Sequence, residues 1–499
     1  MELLDRTACY RAIETRDSRF DGRLFVGVTS TGIYCRPICP ARTPKFENCR
    51  FFPSAAAAQE GGFRPCLRCR PETAPDLAFW RGSSNTVSRA LALIADGALD
   101  GGEAGIEALA ERLGLGGRQL RRLFQQHLGA SPLAVAQTRR VLLAKQLIQE
   151  TQLSMAEIAL AAGFGSVRRF NETFRALYRR PPGALRRKPP ARAESAAGVT
   201  LRLYYRPPYD WDAILAHLAA RAIEGVELVE TGVYWRSLGL GGALGSVAVA
   251  HRPEHRCLAV TLRFPALGAL PAIATRVRRL FDVGADIETI GAHLSRDPLL
   301  APLIAQRPGL RAPGGWDGFE LAVRAILGQQ VSVGAARRLA GRLVALCGES
   351  LPAEATAHRG LLRVFPSPQR LAAADLNQLG MPRARRAALA ALAAEAVADP
   401  HLFRPFGTVE EAIQRLRAIR GVGEWTAQYI ALRALRETDA FPAADIGLLR
   451  GAALIDGKRP TPADLIGRAE PWRPWRAYAA QHLWAADAAA LAAGEMIHG

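Results

Sequence analysis

Residues 416–427 read Leu416-Arg417-Ala418-Ile419-Arg420-Gly421-Val422-Gly423-Glu424-Trp425-Thr426-Ala427: a helical segment, a glycine turn and the start of a second helix. This order predicts a helix-hairpin-helix motif. In such a motif the turn, here Gly421 and Gly423, leaves backbone N–H groups free to hold a phosphate. The stretch therefore predicts a helical C-terminal fold that contacts a nucleic-acid backbone.

Aromatic residues and one acid accompany this hairpin. Tyr429 follows it, Asp445 comes twenty residues after Trp425 in Phe441-Pro442-Ala443-Ala444-Asp445, and Trp484 lies further along. The set resembles the AlkA family, the bacterial 3-methyladenine glycosylases of the helix-hairpin-helix superfamily, over residues from about 200 to 490. The other segments that carry the resemblance are Pro207–Trp211, Ile326–Val333 and Pro471–Tyr478.

The resemblance implies roles for individual side chains. Asp445 matches the catalytic aspartate, and Gln330 matches the side chain that fills the space left by a flipped base. The base pocket is expected to be lined by Trp425, Tyr429, Trp484 and His217. Aromatic π faces attract a cationic base, although buried core packing is the alternative for each of these aromatic residues.

The expected chemistry needs only a carboxylate. An alkylated purine is positively charged and a good leaving group, so the enzyme must flip it out and stabilise an oxocarbenium-like sugar. Trp425, not lysine, stands twenty residues before Asp445, which predicts a monofunctional glycosylase. Ile446 replaces a Tyr that the family can carry, and His217 replaces an aromatic wall. Asp445 also suits a helix N-cap, which is compatible with catalysis.

Four cysteines near the N-terminus have metal-ligand spacing. Cys35 and Cys39 are followed after 26 residues by Cys66 and Cys69, a pair of knuckles that can close a tetrahedral four-thiolate zinc site. Cys9 and Cys49 lie outside this spacing and are interpreted as non-ligands. A zinc ion that only stabilises a small domain is the alternative to a chemical role.

The surrounding sequence favours the chemical role. Phe25–Cys39 and Gly62–Pro71 resemble the N-terminal domain of the Ada regulators. In that family the thiolate matching Cys35 takes a methyl group from a methylated DNA phosphate, and the other three remain zinc ligands. Methylation would change the site from −2 to −1 and lessen its repulsion from DNA. Arg42 and Arg64 are the candidate phosphate contacts, with ordinary solvated surface as their alternative.

Two basic helix-turn-helix units follow. One runs through Ile106–Phe124 and the other through Met155–Arg175, with a helix from about 132 to 149 between them. Their spacing resembles the AraC-type DNA-binding domain. Four apolar residues are expected in the core, namely Ile158, Phe164, Phe170 and Phe174. Groove contacts are assigned to Arg118, Arg121, Arg122, Arg168, Arg169 and Asn171.

Bulk properties agree with these motifs. The 499 residues carry a formal net charge of +19, which favours a polyanionic partner such as double-stranded DNA. No run of about 18 apolar residues and no signal-peptide pattern occurs, so no membrane association is expected. Eight cysteines are too few for a disulfide scaffold, which favours a reducing compartment and a soluble cytoplasmic protein.

The predicted fold is multidomain and mainly α with α+β parts. Its four predicted domains are a small zinc-bound α+β domain (1–78), an AraC-type double helix-turn-helix (84–187), an α+β glycosylase subdomain (199–290) and an all-α helix-hairpin-helix core (291–499). Residues 199–290 alternate in a strand-like way, with helical segments at 211–224 and 271–281. Residues from Arg186 to Gly198 are interpreted as a linker.

The sequence thus predicts a methylation-activated regulator fused to a repair glycosylase, acting on alkylated and promoter DNA. The chain has no Pro-Cys-His-Arg motif, so repair of O6-methylguanine is not predicted. The alternative is a regulator with an inactive glycosylase-like domain and a purely structural zinc. RNA polymerase is a further candidate partner, and two recognition helices in one chain predict a monomer. The operator, target genes and lesion range cannot be read from the sequence.

Overall fold

The structure is a computed structural model that describes residues 5–74, 85–99, 104–186, 198–356, 358–404 and 408–494. They form two compact units: the residues up to Tyr205 with Arg252–Thr275, and Arg206–His251 with the residues from Arg276 onwards. The predicted linker and the predicted boundaries at 78 and 84 lie outside the described residues, apart from the linker's two ends. No described helix is both long and apolar enough to cross a membrane.

The N-terminal region is a small α+β structure. Its elements are α1 (Arg6–Glu14), β1 (Phe25–Val28), β2 (Ile33–Cys35), β3 (Cys49–Phe52), α2 (Ala55–Glu60) and β4 (Arg64–Pro65). The strand order is β3-β1-β2-β4, antiparallel except that β4 runs parallel to β2. Gly27 in β1 is required because a Cβ there would stand 2.8 Å from the Phe52 ring and 2.9 Å from the Phe63 ring. This packing helps to position β2 and β4. Cys35 is the last residue of β2, and Cys66 directly follows β4.

A helical region follows, as the periodicity predicts. Its helices are α3 (Asn85–Ala95), α4 (Ala104–Arg112), α5 (Gly117–Leu128), α6 (Pro132–Glu150), α7 (Met155–Ala161) and α8 (Val167–Tyr178). Helix α6 is the predicted bridge between the two helix-turn-helix pairs. The four predicted core residues, Ile158, Phe164, Phe170 and Phe174, are all buried. Helix α7 begins with a capping box between Ser154 and Glu157.

Helix α6 packs against the N-terminal region through buried charges. Lys145 is fully buried and donates hydrogen bonds to Glu72 Oε2 at 2.6 Å and to the carbonyl oxygen of Cys66 at 2.9 Å. Arg70 pairs with Glu72 at 3.0 Å and with Glu150, at the end of α6, at 2.7 Å. This chain of alternating charges ties the second cysteine knuckle to the scaffold of the DNA-binding helices.

We expect Lys145→Met to destabilise this unit. Removing one partner of a buried ion pair leaves Glu72 with less compensation for its lost hydration, which costs about 3 kcal/mol. The midpoint of thermal unfolding of the full chain should fall. Lys45→Met is the matched control, because the Lys45 side chain is 81% exposed and its carboxylate neighbour is 4.0 Å away. Equal midpoints for the two variants would contradict the structural importance of the buried pair.

The α+β segment after residue 198 has the predicted strands. Its elements are β5 (Val199–Tyr204), α9 (Trp211–Arg221), β6 (Glu227–Glu230), β7 (Val233–Leu240), β8 (Ala243–Arg252), β9 (Cys257–Arg263) and α10 (Leu270–Leu280). In the first unit β5 pairs antiparallel with β9, and in the second unit β6, β7 and β8 form an antiparallel meander. Helix α9 ends at Arg221 rather than at the predicted 224, because Ala222 leaves helical geometry with ψ 126°.

The rest of the second unit is mainly helical. Its elements are α11 (Ile287–Leu294), α12 (Leu300–Gln306), α13 (Gly318–Leu327), α14 (Val333–Cys347), β10 (Glu349–Ser350), β11 (Arg363–Val364), α15 (Pro368–Ala372), α16 (Arg383–Ala398), α17 (Val409–Arg417), α18 (Glu424–Ile430), α19 (Ile446–Asp456), α20 (Pro462–Arg468) and α21 (Arg476–Ala492). The sequence did not predict the short β10–β11 pair. The predicted hairpin joins α17 to α18, and a π-helical turn over Ala431–Leu435 continues α18.

Candidate functional site

The acid singled out in the sequence begins helix α19. Asp445 is the N-cap, and its Oδ1 accepts hydrogen bonds from the backbone N–H of Gly447 at 2.9 Å and of Leu448 at 3.2 Å. The preceding loop is held by Gln428 on α18, whose Oε1 accepts from the N–H of Phe441 at 3.0 Å. Asp445 is half-buried. The N-cap role and an accessible carboxylate therefore coexist, as the sequence allowed.

Three of the predicted pocket residues meet beside this carboxylate. Trp425 and Tyr429, one turn apart on α18, stack with ring centroids 5.4 Å apart, and Trp484 of α21 meets Tyr429 edge-on at 6.2 Å. All three are half-buried, so part of each side chain is accessible to solvent. Both indole N–H groups donate to Asp445, Trp425 to Oδ2 and Trp484 to Oδ1, each at 2.8 Å.

Arg433 lies behind these rings, and sequence reasoning missed it. Its guanidinium carbon is 4.8 Å from the Trp484 ring centroid and 5.8 Å from that of Tyr429. It donates to the carbonyl oxygen of Pro313 at 2.7 Å and to Gln481 Oε1 at 2.9 Å. Burial lowers the pKa of Arg433 to about 10, so the group remains cationic at neutral pH. Arg433 stands four residues after Tyr429, a spacing that puts two residues on the same face of a helix. That spacing is the feature of the sequence that could have identified it.

His217 lies on α9 in the same unit. It is half-buried, and burial together with the positive charges of Arg221, Arg433 and Arg324 holds the pKa of its imidazole well below the usual value. The imidazole is therefore neutral at physiological pH. No ring contact joins His217 to Trp425, Tyr429 or Trp484 among the described contacts, so its predicted place in the base pocket stays a prediction.

The hairpin and a second turn are tied together. Gly421 has φ +84°, and a Cβ there would stand 2.4 Å from Ala388 Cβ, so only glycine fits the turn. Gln329, which the sequence reasoning did not single out, donates to the carbonyl oxygen of Gly421 at 3.0 Å and to Thr426 Oγ1 at 3.1 Å. Its neighbour Gln330 is exposed and left-handed, with φ +56°. The tie fixes the projecting turn of Gln330 relative to the hairpin that can hold a phosphate.

The four predicted metal ligands form one cluster. The sulfur atoms of Cys35, Cys39, Cys66 and Cys69 all lie within 4.8 Å of one another. Tetrahedral zinc thiolates place their sulfurs about 3.8 Å apart, so the donor set and its spacing fit zinc. Backbone N–H groups of Arg36 and Arg68 point at the sulfurs of Cys69 and Cys66, at 3.4 and 3.3 Å. Cys66 and Cys69 are buried, while Cys35 and Cys39 are half-buried.

The two cysteines interpreted as non-ligands lie apart from this cluster. Cys9 and Cys49 are buried in separate small apolar clusters. Beside the metal cluster, the Arg36 guanidinium donates to Asp21 in a buried ion pair and to the carbonyl oxygen of Cys69 at 3.2 Å. Arg36 thereby braces both knuckles, a structural role that the sequence did not reveal.

The predicted DNA-contacting side chains are mostly accessible. The exposed ones are Arg42, Arg118, Arg121, Arg122, Arg168 and Arg169. Arg64, on β4 next to Cys66, and Asn171 are half-buried, and the Asn171 amide donates to the carbonyl oxygen of Val167 at 3.0 Å. Arg121 and Arg168 face Glu107 and Glu172 at 3.3 and 2.8 Å. Exposed ion pairs of this kind are weak, so a DNA phosphate can replace the carboxylate as the partner of the arginine.

Four family models match consecutive parts of the chain. They are the metal binding domain of Ada (residues 8–72), a helix-turn-helix domain (109–188), the AlkA N-terminal domain (200–317) and the HhH-GPD superfamily base excision DNA repair protein (323–477). The matches follow the order of the elements described above.

Relatives cover both the whole chain and its parts. The "probable bifunctional transcriptional activator/DNA repair enzyme AlkA" of Mycobacterium tuberculosis is 45% identical over 96% of this chain and 96% of its own. DNA-3-methyladenine glycosylase 2 of Escherichia coli is 40% identical over 56% of this chain and 95% of its own. The 3-methyladenine DNA glycosylase structure from Archaeoglobus fulgidus covers 57% of this chain and 98% of its own, with TM-score 0.51 and 21% identity, and so shares the fold.

A four-cysteine metal region, a double helix-turn-helix and a helix-hairpin-helix repair fold define a DNA-binding regulator joined to a base-excision repair domain. DNA is the partner of this class, and the Ada-type cysteine cluster makes zinc its metal. The chain belongs to the family of bifunctional transcriptional activator/DNA repair enzymes of the AlkA type.

The hairpin geometry makes a prediction about its two glycines. Gly421→Ala forces alanine into a left-handed conformation and against Ala388, which should lower the free energy of unfolding by about 1–3 kcal/mol. Gly423 has φ −83° and open space around its Cα, so Gly423→Ala should lower the unfolding midpoint much less, by the smaller cost of alanine at a helix N-cap. Thermal unfolding of the full-length variants compares them. A loss of stability in Gly423→Ala equal to that in Gly421→Ala would contradict the geometry.

Proposed function

We propose that the C-terminal half is a monofunctional DNA-3-methyladenine glycosylase in which Asp445 is the catalytic residue. The observation that carries the proposal is the carboxylate of Asp445 held by two indole N–H groups beside the half-buried aromatic rings of Trp425, Tyr429 and Trp484. The glycosylase relatives described above support the same reaction class.

The proposed reaction begins with DNA held by the hairpin. Backbone N–H groups at Gly421 and Gly423 bind a phosphate, and exposed Gln330 enters the base stack as the damaged nucleotide leaves it. The flipped base stacks against the aromatic walls. Neutral His217 offers one ring N–H and one ring lone pair at the position where the family has an aromatic wall, and Ile446 is exposed beside the acid. These two residues are expected to set the range of lesions.

The bond-breaking step needs no further protein group. The N-glycosidic bond breaks, its electron pair leaves with the cationic base, and the negative charge of Asp445 stabilises the oxocarbenium-like sugar. Water then adds to the sugar carbon and gives up a proton. Trp425 stands where a bifunctional enzyme would carry lysine, so no covalent imine forms and the product is an abasic site.

The N-terminal half is proposed to be a methyl acceptor and switch. Cys35, Cys39, Cys66 and Cys69 would hold a zinc ion, which would keep their sulfurs deprotonated at neutral pH. Cys35 sulfur attacks the methyl carbon of a DNA phosphotriester, an S–C bond forms as the O–C bond breaks, and the phosphate regains its negative charge. The cluster changes from −2 to −1, which lessens its repulsion from DNA and strengthens promoter binding. Arg42 and Arg64 bind phosphates beside it.

The DNA-binding helices complete the proposal. Arg118, Arg121 and Arg122 on α5, and Arg168, Arg169 and Asn171 on α8, enter the major groove of promoter DNA. The methylated protein is proposed to recruit RNA polymerase and to bind as a monomer, because one chain carries two recognition helices. A cytoplasmic location remains a prediction.

Base excision is expected to depend on one carboxylate. Asp445→Asn keeps the shape but removes the charge, which should slow release of 3-methyladenine from alkylated DNA by about 10²–10³-fold. Glu395→Gln is the control, since Glu395 is exposed on α16 and lies outside the hairpin and outside the group of residues around Asp445. Failure of the unmodified protein to release the base would favour the inactive, DNA-binding alternative.

Methyl transfer predicts one modified cysteine. After incubation with DNA that carries methylphosphotriesters, mass spectrometry of the full chain should find one added methyl group, on Cys35. DNA without phosphotriesters is the control. Recovery of an unmodified cluster from the treated sample would show that the zinc is structural only.

A further inference from the structure

The two oxygens of Asp445 have unequal surroundings. Oδ1 accepts three hydrogen bonds, from the N–H groups of Gly447 and Leu448 and from the Trp484 indole. Oδ2 accepts one, from the Trp425 indole. A carboxylate oxygen offers about two lone-pair sites, so Oδ1 is saturated and Oδ2 retains a free direction.

The geometry points to Trp425 and Trp484 as positioning residues, whose indole N–H groups fix the Asp445 carboxylate so that Oδ2 is the oxygen presented to the sugar. This inference rests on the proposed catalytic role of Asp445. Trp425 and Trp484 would then have two roles: their rings contact the base, and their N–H groups orient the carboxylate. Oδ1 anchors the side chain to the start of α19, while Oδ2 is held by a single donor and stays available to the reaction.

The kind of donor matters for the chemistry. Indole and backbone N–H groups are neutral, so they orient the carboxylate without cancelling the charge that an oxocarbenium-like sugar needs. Arg450, on the same helix, forms a two-point ion pair with Asp487 at 2.7 and 2.8 Å, and the charge of Asp445 also acts on it without a direct contact. Among the described residues, no lysine or arginine forms an ion pair with Asp445.

Gly447 makes room for this arrangement. A Cβ at position 447 would stand 3.1 Å from Asp445 Oδ1, 3.1 Å from Trp484 Cδ1 and 3.2 Å from Asp487 Oδ2. These distances are shorter than ordinary van der Waals contacts. A side chain at this position would therefore push apart the carboxylate and the indole that donates to it.

The arrangement couples base recognition to carboxylate orientation. Each tryptophan is proposed to contact the base with its ring, and its N–H donates to Asp445. A shift of the ring therefore also shifts the hydrogen bond. A base that stacks without moving the rings leaves Oδ2 in place. A base that pushes the rings aside also turns Oδ2 away from the sugar. Misplacement of a reacting group by about 1 Å costs about 10²-fold in rate.

Phenylalanine substitutions test the indole hydrogen bond separately from the aromatic ring. Trp425→Phe keeps an aromatic wall but removes the sole donor to Oδ2, so the single-turnover excision rate should fall about ten- to hundredfold while the dissociation constant for lesion DNA changes less than about threefold. Trp484→Phe should lose less rate, since Oδ1 retains two backbone donors. Trp235→Phe is the control, because Trp235 packs on His358, away from this group.

A spectroscopic readout guards against an effect of altered packing. Of the eight tryptophans, the two indole N–H resonances that disappear in Trp425→Phe and Trp484→Phe should move upfield in Asp445→Ala, because they lose their charged acceptor. Unshifted resonances, or wild-type excision rates in both phenylalanine variants, would overturn the inference. If Asp445→Asn itself excises bases normally, the proposed catalytic role fails instead; an inactive Asp445→Asn with fully active phenylalanine variants refutes only the positioning role.

Discussion

The carboxylate of Asp445, held at the first turn of α19 by neutral N–H donors, is the interaction on which the glycosylase half depends. Two backbone amides fix it to the helix, and two indoles reach it from α18 and α21. A helix N-terminus favours a negative charge, and its unpaired N–H groups supply the donors. Helices α18, α19 and α21 thereby meet at one carboxylate, beside a group of half-buried aromatic rings.

The arginines around this carboxylate have hydrogen-bond partners of their own. Arg433 is buried behind the rings and hydrogen-bonded to Pro313 and Gln481, while Arg450 is bound by Asp487. In the metal region, the Arg36 guanidinium pairs with Asp21 and donates to the carbonyl oxygen of Cys69, while its backbone N–H donates to the Cys69 sulfur. These contacts help to position the cysteines that fit a zinc ion.

Local patterns in the sequence predicted much of this structure. Cysteine spacing predicted the metal cluster, turn chemistry predicted the hairpin at Gly421, and helical periodicity predicted the buried Phe170 and Phe174. Local patterns could not show which partners would meet over long separations. The family resemblance, and not a local pattern, placed Trp484 in one pocket with Asp445, 39 residues away. Nothing in the sequence indicated that Lys145 contacts the Cys66 carbonyl, 79 residues away. Such pairings depend on tertiary packing, which no local pattern encodes.

The orientation of Asp445 can be measured directly in a crystal of the full chain bound to DNA that carries a cationic five-membered ring in place of the damaged sugar. We expect the ring nitrogen to lie about 3 Å from Oδ2, with both indole hydrogen bonds intact. A ring nitrogen paired with Oδ1, or a carboxylate released from both indoles and turned away from the ring, would contradict this account.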